Sequence, residues 1–344
     1  MIIGEVDLDE QVFIVAEIGN NHEGNFEVAC KLVRCAAEAG VDAVKFQTFH
    51  PEQYVSWVDA RRLEQLRRFR LSQDQFARLA KMASDLGLIF FSTPLDIGSA
   101  MSLNEIQPVF KIASGDNTFY PLIETVAHFS KPLIISTGFA DLPLLDRLRA
   151  DVHRIWVQNN VSPGLAFLHC VGSYPVPPAQ ANLCAIAALR ERFTDCTIGY
   201  SDHVLGVDAA IYAVAAGARI IEKHFTLDKS YSEFRDHALS ADPHDMQRLV
   251  KAVRETGVMF GVGGKSPQPC ELQLLTTVRR SVAAARDLAD GIVLTSTDLT
   301  WVRPGTGIPP GEEQRLIGCK TQRALRQGEL IQASDVTALH KMSP

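Results

Sequence analysis

The chain lacks most of the features that assign a protein to a specialised class. It has no CxxC pair, and its seven cysteines (30, 35, 170, 184, 196, 270 and 319) are odd in number and scattered. This argues against a disulfide framework and a zinc-finger-type site, and for a reducing compartment. No apolar run approaches the roughly 20 residues of a membrane-spanning helix, so no membrane partner is expected. The opening MIIGEVDLDEQ has no long apolar core, so a signal peptide is not expected and a cytoplasmic location is. Basic charge is not in excess: 34 Lys and Arg against 40 Asp and Glu leave a net charge of −6. That removes the electrostatic reason to expect nucleic acid, although a local site could still take a small anion. The first strand-to-helix turn, EIGNNHEG, is not the GxGxxG of a dinucleotide-binding fold.

What is present is a regular alternation. With 46% hydrophobic and 22% charged residues in 344, there is material for a large core. Strand-like runs occur at 13–19, 42–48, 88–94, 109–114, 132–138, 165–170, 197–203 and 218–225. Amphipathic patterns lie between most of them. Examples are 25–40 and 72–87, the latter opening on Ser72 as N-cap and closing on Gly87 as C-cap; a last helix is expected over 244–257. Eight strand–helix units in about 250 residues predict an α/β fold of the (β/α)8 TIM-barrel type, with a doubly wound sheet as the alternative. The barrel is expected over 1–260, a Gly/Pro-rich linker over 261–282, and a small, mostly β domain over 283–344. That last segment repeats itself. RDLADGIVLTSTDLT (286–300) aligns with RALRQGELIQASDVT (323–337) at an offset of 37 residues.

In a TIM barrel the chemistry sits at the C-terminal ends of the strands. These ends carry Glu17, Lys45 with Gln47, Ser92 with Thr93, Lys111 with Ser114, Ser136 with Thr137, His169, Ser201 with Asp202 and His203, and Glu222 with His224. A single buried polar residue means little, but eight polar ends converging on one mouth carry a large desolvation cost unless something uses them. Glu222 and His224 share one face of their strand, and Ser201 and His203 share a face of the strand before it. Two imidazoles with carboxylates nearby suit an open Mn²⁺, Fe²⁺, Co²⁺ or Zn²⁺ site, or else a plain hydrogen-bonded pair. Lys45 and Lys111, with Ser114, Ser136 and Ser201, read as an anion cradle for a phosphate and a carboxylate. A Schiff-base aldolase is the other use of a barrel lysine.

The motifs AEIGNNHEG (16–24), DAVKFQT (42–48), FFSTPLD (90–96), FKIASGD (110–116), LHCVGSYPVPP (168–178), GYSDHVLG (199–206) and IEKHFTLDK (221–229) resemble those of sialic acid synthases. RRS (279–281) and RPGTG (303–307) resemble that family's antifreeze-like SAF domain. The resemblance spans nearly the whole chain and implies an enzyme that condenses phosphoenolpyruvate with an N-acetylated hexose-type sugar. It implies His203 and His224 as ligands of a divalent metal, Mn²⁺ first, with Mg²⁺ or Co²⁺ as alternatives. Lys45, Gln47, Thr93, Lys111, Ser114, Ser136 and Ser201 would bind phosphoenolpyruvate, and Glu17 would be the acid/base. Tyr174, Glu222, Asp236 and Arg303 would face the sugar, Arg303 from the small domain of a second subunit in a domain-swapped homodimer. Two departures fall on the sugar side: Gly172, where many members carry Asn or Ser, and Phe234-Arg235, where a Gly-Pro pair is common. They leave open a 2,4-diacetamido-trideoxyhexose as the acceptor, giving a legionaminic- or pseudaminic-type acid. An ice-binding role for the small domain is disfavoured by the charged residues of 303–329.

Overall fold

The computed structural model describes residues 1–261 and 263–337; residue 262 of the expected linker and 338–344 of the expected C-terminal domain lie outside the described residues. The chain divides into two compact units, Met1–Gly261 and the remainder.

Eight parallel strands build the first unit: β1 (Phe13–Gly19), β2 (Ala43–Thr48), β3 (Ile89–Pro94), β4 (Phe110–Ile112), β5 (Leu133–Ser136), β6 (Leu165–Cys170), β7 (Thr197–Asp202) and β8 (Ile220–His224). They pair in the order β3-β2-β1-β8-β7-β6-β5-β4, so β1 and β8 are hydrogen-bonded and the ladder ends only at β3 and β4. This is a nearly closed barrel, not a doubly wound sheet. Helices α1 (Phe26–Ala39), α2 (Gln73–Asp85), α3 (Ile97–Leu103), α4 (Tyr120–His128), α5 (Leu142–Gln158), α6 (Cys184–Arg192), α7 (Asp208–Ala215) and α8 (Pro243–Phe260) follow the strands in turn.

The caps explain several boundaries. Asn25 accepts from the backbone N–H groups of Glu27 and Val28 and starts α1, and Ser72 starts α2 with a capping box to Gln75. At the other end of α2 the cap is Leu86, and Gly87 takes the left-handed position one residue on. Helix α8 outruns its expected end at Gly257 and continues to Phe260. A helical glycine costs only about 1 kcal/mol, and Val258-Met259-Phe260 continue the helix to Gly261, whose positive φ ends it.

Side-chain alternation sorts the strands into layers. Phe13, Val15, Ala43, Phe91, Val109, Ile134, Ala166, Leu168 and Ile220 fill the lower interior. An antiparallel ribbon of Ile2–Ile3 with Val6–Asp7 brings Ile3 and Leu8 into the same cluster and closes the bottom. The next inward positions are polar and form the mouth. The outward positions pack on the helices in a separate apolar shell that includes Ile14, Val44, Phe90, Phe167 and Ile221.

Four polar residues at strand ends therefore do not join the mouth, because alternation turns them outward. Ser92 pairs with Thr48 at 2.7 Å, Thr137 donates to the Leu168 carbonyl, and His169 Nε2 meets the Ala181 carbonyl at 2.9 Å. Asp202 lies 2.9 Å from Lys223 Nζ with both side chains fully buried. Lys223 also donates to the Val204 carbonyl, and Asp202 accepts from Tyr200. The three ionisable residues ending β8 are thus divided: Glu222 and His224 face inward, and Lys223 is neutralised behind the strand.

In the second unit, β9 (Ser281–Ala284) pairs antiparallel with β10 (Leu299–Val302) around a cluster of Val282, Leu288, Leu294, Leu299, Leu316 and Leu325. Two short helices, Pro269–Leu272 and Leu275–Val278, lie within the stretch expected to be linker. The sequence repeat is a structural one. Arg286 donates to Asp298 and Arg323 to Asp335, while Leu288 and Leu325 exchange backbone hydrogen bonds of 2.8 and 2.9 Å.

The buried pair gives a stability prediction. Asp202→Ala leaves Lys223 buried without its carboxylate and should cost about 3–5 kcal/mol in denaturant unfolding. Burial already holds Lys223 below the usual lysine range, against the pull of Asp202. A lysine depressed in the folded state is more readily protonated in the unfolded one. The deficit should therefore shrink as pH rises through the alkaline range towards 10.5.

Candidate active site

The mouth is built on the last inward positions of the strands. Registers set Glu17 beside Lys45 on β1/β2, His224 beside Glu17 on β8/β1, and Glu222 beside Ser201 on β8/β7. Lys45 Nζ lies 2.7 Å from Glu17 Oε2 and 3.7 Å from Glu222 Oε2, and donates to Thr93 Oγ1 at 3.0 Å. Gln47 donates to the other Glu17 oxygen at 3.3 Å and accepts from Asn20 at 2.7 Å. Lys111 donates to Ser136 Oγ at 2.6 Å and to the Ile112 carbonyl. Ser201 donates to Glu222 Oε1 at 3.0 Å. Ser114 stands after β4 and accepts from the Gly138 N–H.

Burial governs the charges. It pushes Glu17 up to about 7, against the pull of Lys45. For Lys45 burial acts downward, but Glu17 and Glu222 outweigh it and hold the ammonium above its usual range. Lys111 is held below the usual range by burial. Glu222 is kept low despite burial, because Lys111 and Lys45 both face it. The result is a water-poor centre with two cations, one firm carboxylate and one carboxyl poised near neutrality.

The two imidazoles sit at the upper edge. The His203 and His224 rings are 5.4 Å apart between centroids, and Tyr174 packs on both, at 4.1 and 5.8 Å. His203 Nδ1 meets the Val171 carbonyl at 2.9 Å, so in the neutral ring that nitrogen carries the proton and Nε2 keeps its lone pair. His224 Nδ1 is buried with no hydrogen-bond partner, and burial holds its ring well below the usual imidazole range. A neutral imidazole with an unused buried nitrogen, beside a second one with a free lone pair, fits a divalent ion. The pair supplies two donors only. Among the described residues the three-group His, Cys and carboxylate clusters lie elsewhere, at His153–Asp195–Cys196 and Asp242–His244–Asp245. Water or a substrate oxygen would complete the shell.

Beside Tyr174, Asp236 is buried and pushed above the usual carboxylate range. Arg235 Nε donates to it at 3.2 Å, and the guanidinium lies 4.8 Å from the Tyr174 ring centre. Phe234 is turned away and packs edge-on against Phe69 at 5.2 Å. Arg303 belongs to the second unit, where it donates to the Val278 carbonyl.

Several neighbours escaped the sequence reading. Asn20 steadies Gln47, Asn117 donates to the Gly138 carbonyl, and Cys170 Sγ lies 3.8 Å from His203 Nδ1. Asn20 and Cys170 lie inside the motifs at 16–24 and 168–178, and strand parity places Cys170 inward. Phe139 had no signal: its backbone has φ 65°, a left-handed conformation that costs a bulky residue about 1–3 kcal/mol.

Residues 32–265 match the NeuB family, and residues 279–337 match the SAF domain. The chain is 38% identical over 335 residues to an N,N'-diacetyllegionaminic acid synthase of Legionella pneumophila, covering 93% of each chain. It is 32% identical to a human N-acetylneuraminate-9-phosphate synthase over 93% of this chain and 91% of that one. A crystal structure of an N-acetylneuraminic acid (sialic acid) synthetase from Leptospira borgpetersenii, in complex with citrate, has a TM-score of 0.75 and 31% identity. It covers 79% of this chain and 94% of that one.

The donor set makes a prediction that needs no turnover. Mn²⁺ at 100 times its Kd should stabilise the metal-stripped protein by about 2.7 kcal/mol, read as a rise in Tm. His203→Ala and His224→Ala should each remove that rise.

Proposed function

The chain belongs to the NeuB family, and from that premise we propose that it is a nonulosonic acid synthase. It would condense phosphoenolpyruvate with the open-chain aldehyde of an N-acetylated hexose-type sugar and release phosphate. With N-acetylmannosamine the product is N-acetylneuraminate. The observation that carries this reading is the arrangement of two buried lysines, spaced among hydroxyls and carboxylates, beneath two imidazoles.

The reaction joins C3 of phosphoenolpyruvate to the aldehyde carbon, adds water at C2, and expels phosphate by C–O cleavage. Lys45 and Lys111 hold the phosphate and carboxylate of the donor, with Thr93, Ser114, Ser136 and Ser201 as further partners. The hydroxyls that these lysines meet in the free protein are the contacts an anion would replace. Glu17, near neutrality, takes the proton of the water that adds at C2, and Gln47 holds its second oxygen so that the carboxylate keeps one orientation. A divalent ion, Mn²⁺ first, held by His203 and His224 would supply Lewis-acid polarisation of the aldehyde. Tyr174, Glu222 and Asp236 orient the sugar, together with Arg303 from the small domain of a second copy in a swapped dimer.

A second acceptor is favoured by the loop beside Tyr174. Arg235 covers Tyr174 and binds Asp236, which narrows the sugar side. The likeness to the Legionella synthase points the same way, to a 2,4-diacetamido-2,4,6-trideoxyhexose. A Schiff-base aldolase is less well supported. Lys111 is the lysine whose amine is pulled towards neutrality, but its Nζ is engaged by Ser136 and the Ile112 carbonyl.

Phosphate release from phosphoenolpyruvate should require both Mn²⁺ and one sugar from a panel of N-acetylmannosamine and the two diacetamido-trideoxyhexoses. Its kcat/KM should climb with pH through about 7, because only ionised Glu17 can accept a proton, and Glu17→Gln should lower it about 10²–10⁴-fold and abolish that limb. Release without any sugar, or with no need of Mn²⁺, would count against the reading. The swapped dimer has its own check: mixing inactive Arg303→Ala and His224→Ala proteins should restore turnover, since one mixed site keeps both residues. A dimer with each small domain over its own barrel would stay inactive.

A further inference from the structure

The loop after β8 is pinned at its neck and held again at its tip. At the neck the Thr226 N–H donates to the Ala241 carbonyl at 3.0 Å, and the Ala241 N–H to the His224 carbonyl at 2.7 Å. At the tip Phe234 and His237 meet, their ring centres 6.0 Å apart. Phe234 is taken up by Phe69. His237 is fully buried and uses both ring nitrogens: Nδ1 is 2.7 Å from Thr226 Oγ1, and Nε2 is 3.1 Å from Glu23 Oε1. Arg235 and Asp236 stand between these two anchors. The Arg235 guanidinium covers Tyr174, which packs on both imidazoles. Burial pushes the Asp236 carboxyl up against the pull of Arg235 and, more weakly, of His203, so Asp236 too lies within electrostatic reach of that centre.

Glu23 belongs to the loop after β1, the strand that carries Glu17. That loop is a firm support. Its Asn21 donates to the Phe225 carbonyl at 2.9 Å and to Ser240 Oγ at 3.0 Å, and Ser240 Oγ donates in turn to the Asp236 carbonyl at 2.6 Å. Glu23 has φ 47°, a left-handed backbone uncommon for a residue with a side chain. A Cβ on the next residue, Gly24, would stand 1.9 Å from the Arg68 carbonyl oxygen, so backbone presses on backbone there and the loop cannot move towards the helix Ala60–Phe69. The Glu23 carboxylate also accepts from Ser232, so it holds two points of the β8 loop. Strands β1 and β8 are already hydrogen-bonded along their length. What the Glu23–His237 contact adds is the placement of the side chains beside His237. Without it, a buried ring nitrogen loses its partner, and the ring must turn or admit water.

We propose that Glu23 is a positioning residue for the sugar: acting through His237, it fixes where Asp236, and Arg235 with it, stands beside Tyr174. The proposal rests on the synthase reading, in which Asp236 and Tyr174 orient the acceptor, and adds a residue that acts at one remove from it.

The test is steady-state phosphate release by wild type, Glu23→Gln, Glu23→Ala, Asp236→Ala and the double variant Glu23→Ala/Asp236→Ala, each shown folded by circular dichroism, with the acceptor that the wild type uses best. Glu23→Ala should raise the KM of the sugar about 10-fold and leave that of phosphoenolpyruvate within about 2-fold, because Lys45, Thr93, Lys111 and Ser136 stand on strands that this loop does not hold. Glu23→Gln still offers His237 and Ser232 an accepting oxygen and should keep most of the wild-type affinity. In the Asp236→Ala background Glu23→Ala should add less than about 2-fold, since the group it positions is gone. Wild-type turnover that Glu23→Ala leaves unchanged, a rise of both KM values together, or single effects that multiply in the double variant overturns the proposal and leaves the synthase reading intact. No release by the wild type with any sugar of the panel, in protein that still binds phosphoenolpyruvate by calorimetry, overturns the synthase reading and the proposal with it.

Discussion

Lys45 is a full cation where water does not reach it, and the mouth of the barrel is arranged around that fact. An ammonium at this depth is tolerated only if fixed negative charge surrounds it. Glu17 at 2.7 Å and Glu222 at 3.7 Å supply that charge. Two carboxylates drawn to one lysine also repel each other, so they cannot be equally acidic. Glu222, which faces Lys111 as well, keeps its charge; Glu17 is left near neutrality. One strand register therefore provides both a buried cation and a carboxyl able to exchange a proton near neutral pH.

The same reasoning divides what was legible in the sequence from what was not. The eight strands were readable because each is an unbroken apolar run between turn signals, and the inward residues of the mouth because strand parity is two. The phase of that parity was harder. His169, Thr137, Ser92 and Asp202 stand among the same polar ends, and only the apolar layer below shows which face is inside. On β6, for example, Ala166 and Leu168 belong to the lower interior, which turns His169 outward. The Glu23–His237 contact was not readable at all, since it joins two loops 214 positions apart through a left-handed backbone.

The residues of the mouth also rest on two kinds of support. The lysines, Glu17 and Thr93 stand on strands whose registers fix them within the barrel. Tyr174, Arg235 and Asp236 stand in loops or in the short turns that follow them, where side chains can be exchanged without disturbing the sheet. Phe234 illustrates how such a change is absorbed. It joins Phe69, Phe49, Leu66 and Leu95 in a small cluster outside the main core, leaving Arg235 turned to Tyr174 and Asp236.

The small second unit carries a consequence for how it folds. Each half of its repeat satisfies its partner: Leu288 bonds to Leu325 and Leu325 to Leu288, and Gly291 donates to Thr321 as Gly328 donates to Ala284. A half-repeat alone has no acceptor for these N–H groups and no apolar face to cover its leucines. The first productive event must therefore close a loop of 37 residues, an entropic cost of about 3 kcal/mol before any contact repays it. This unit should collapse late and all at once, with a high contact order for its size and no half-formed state that persists.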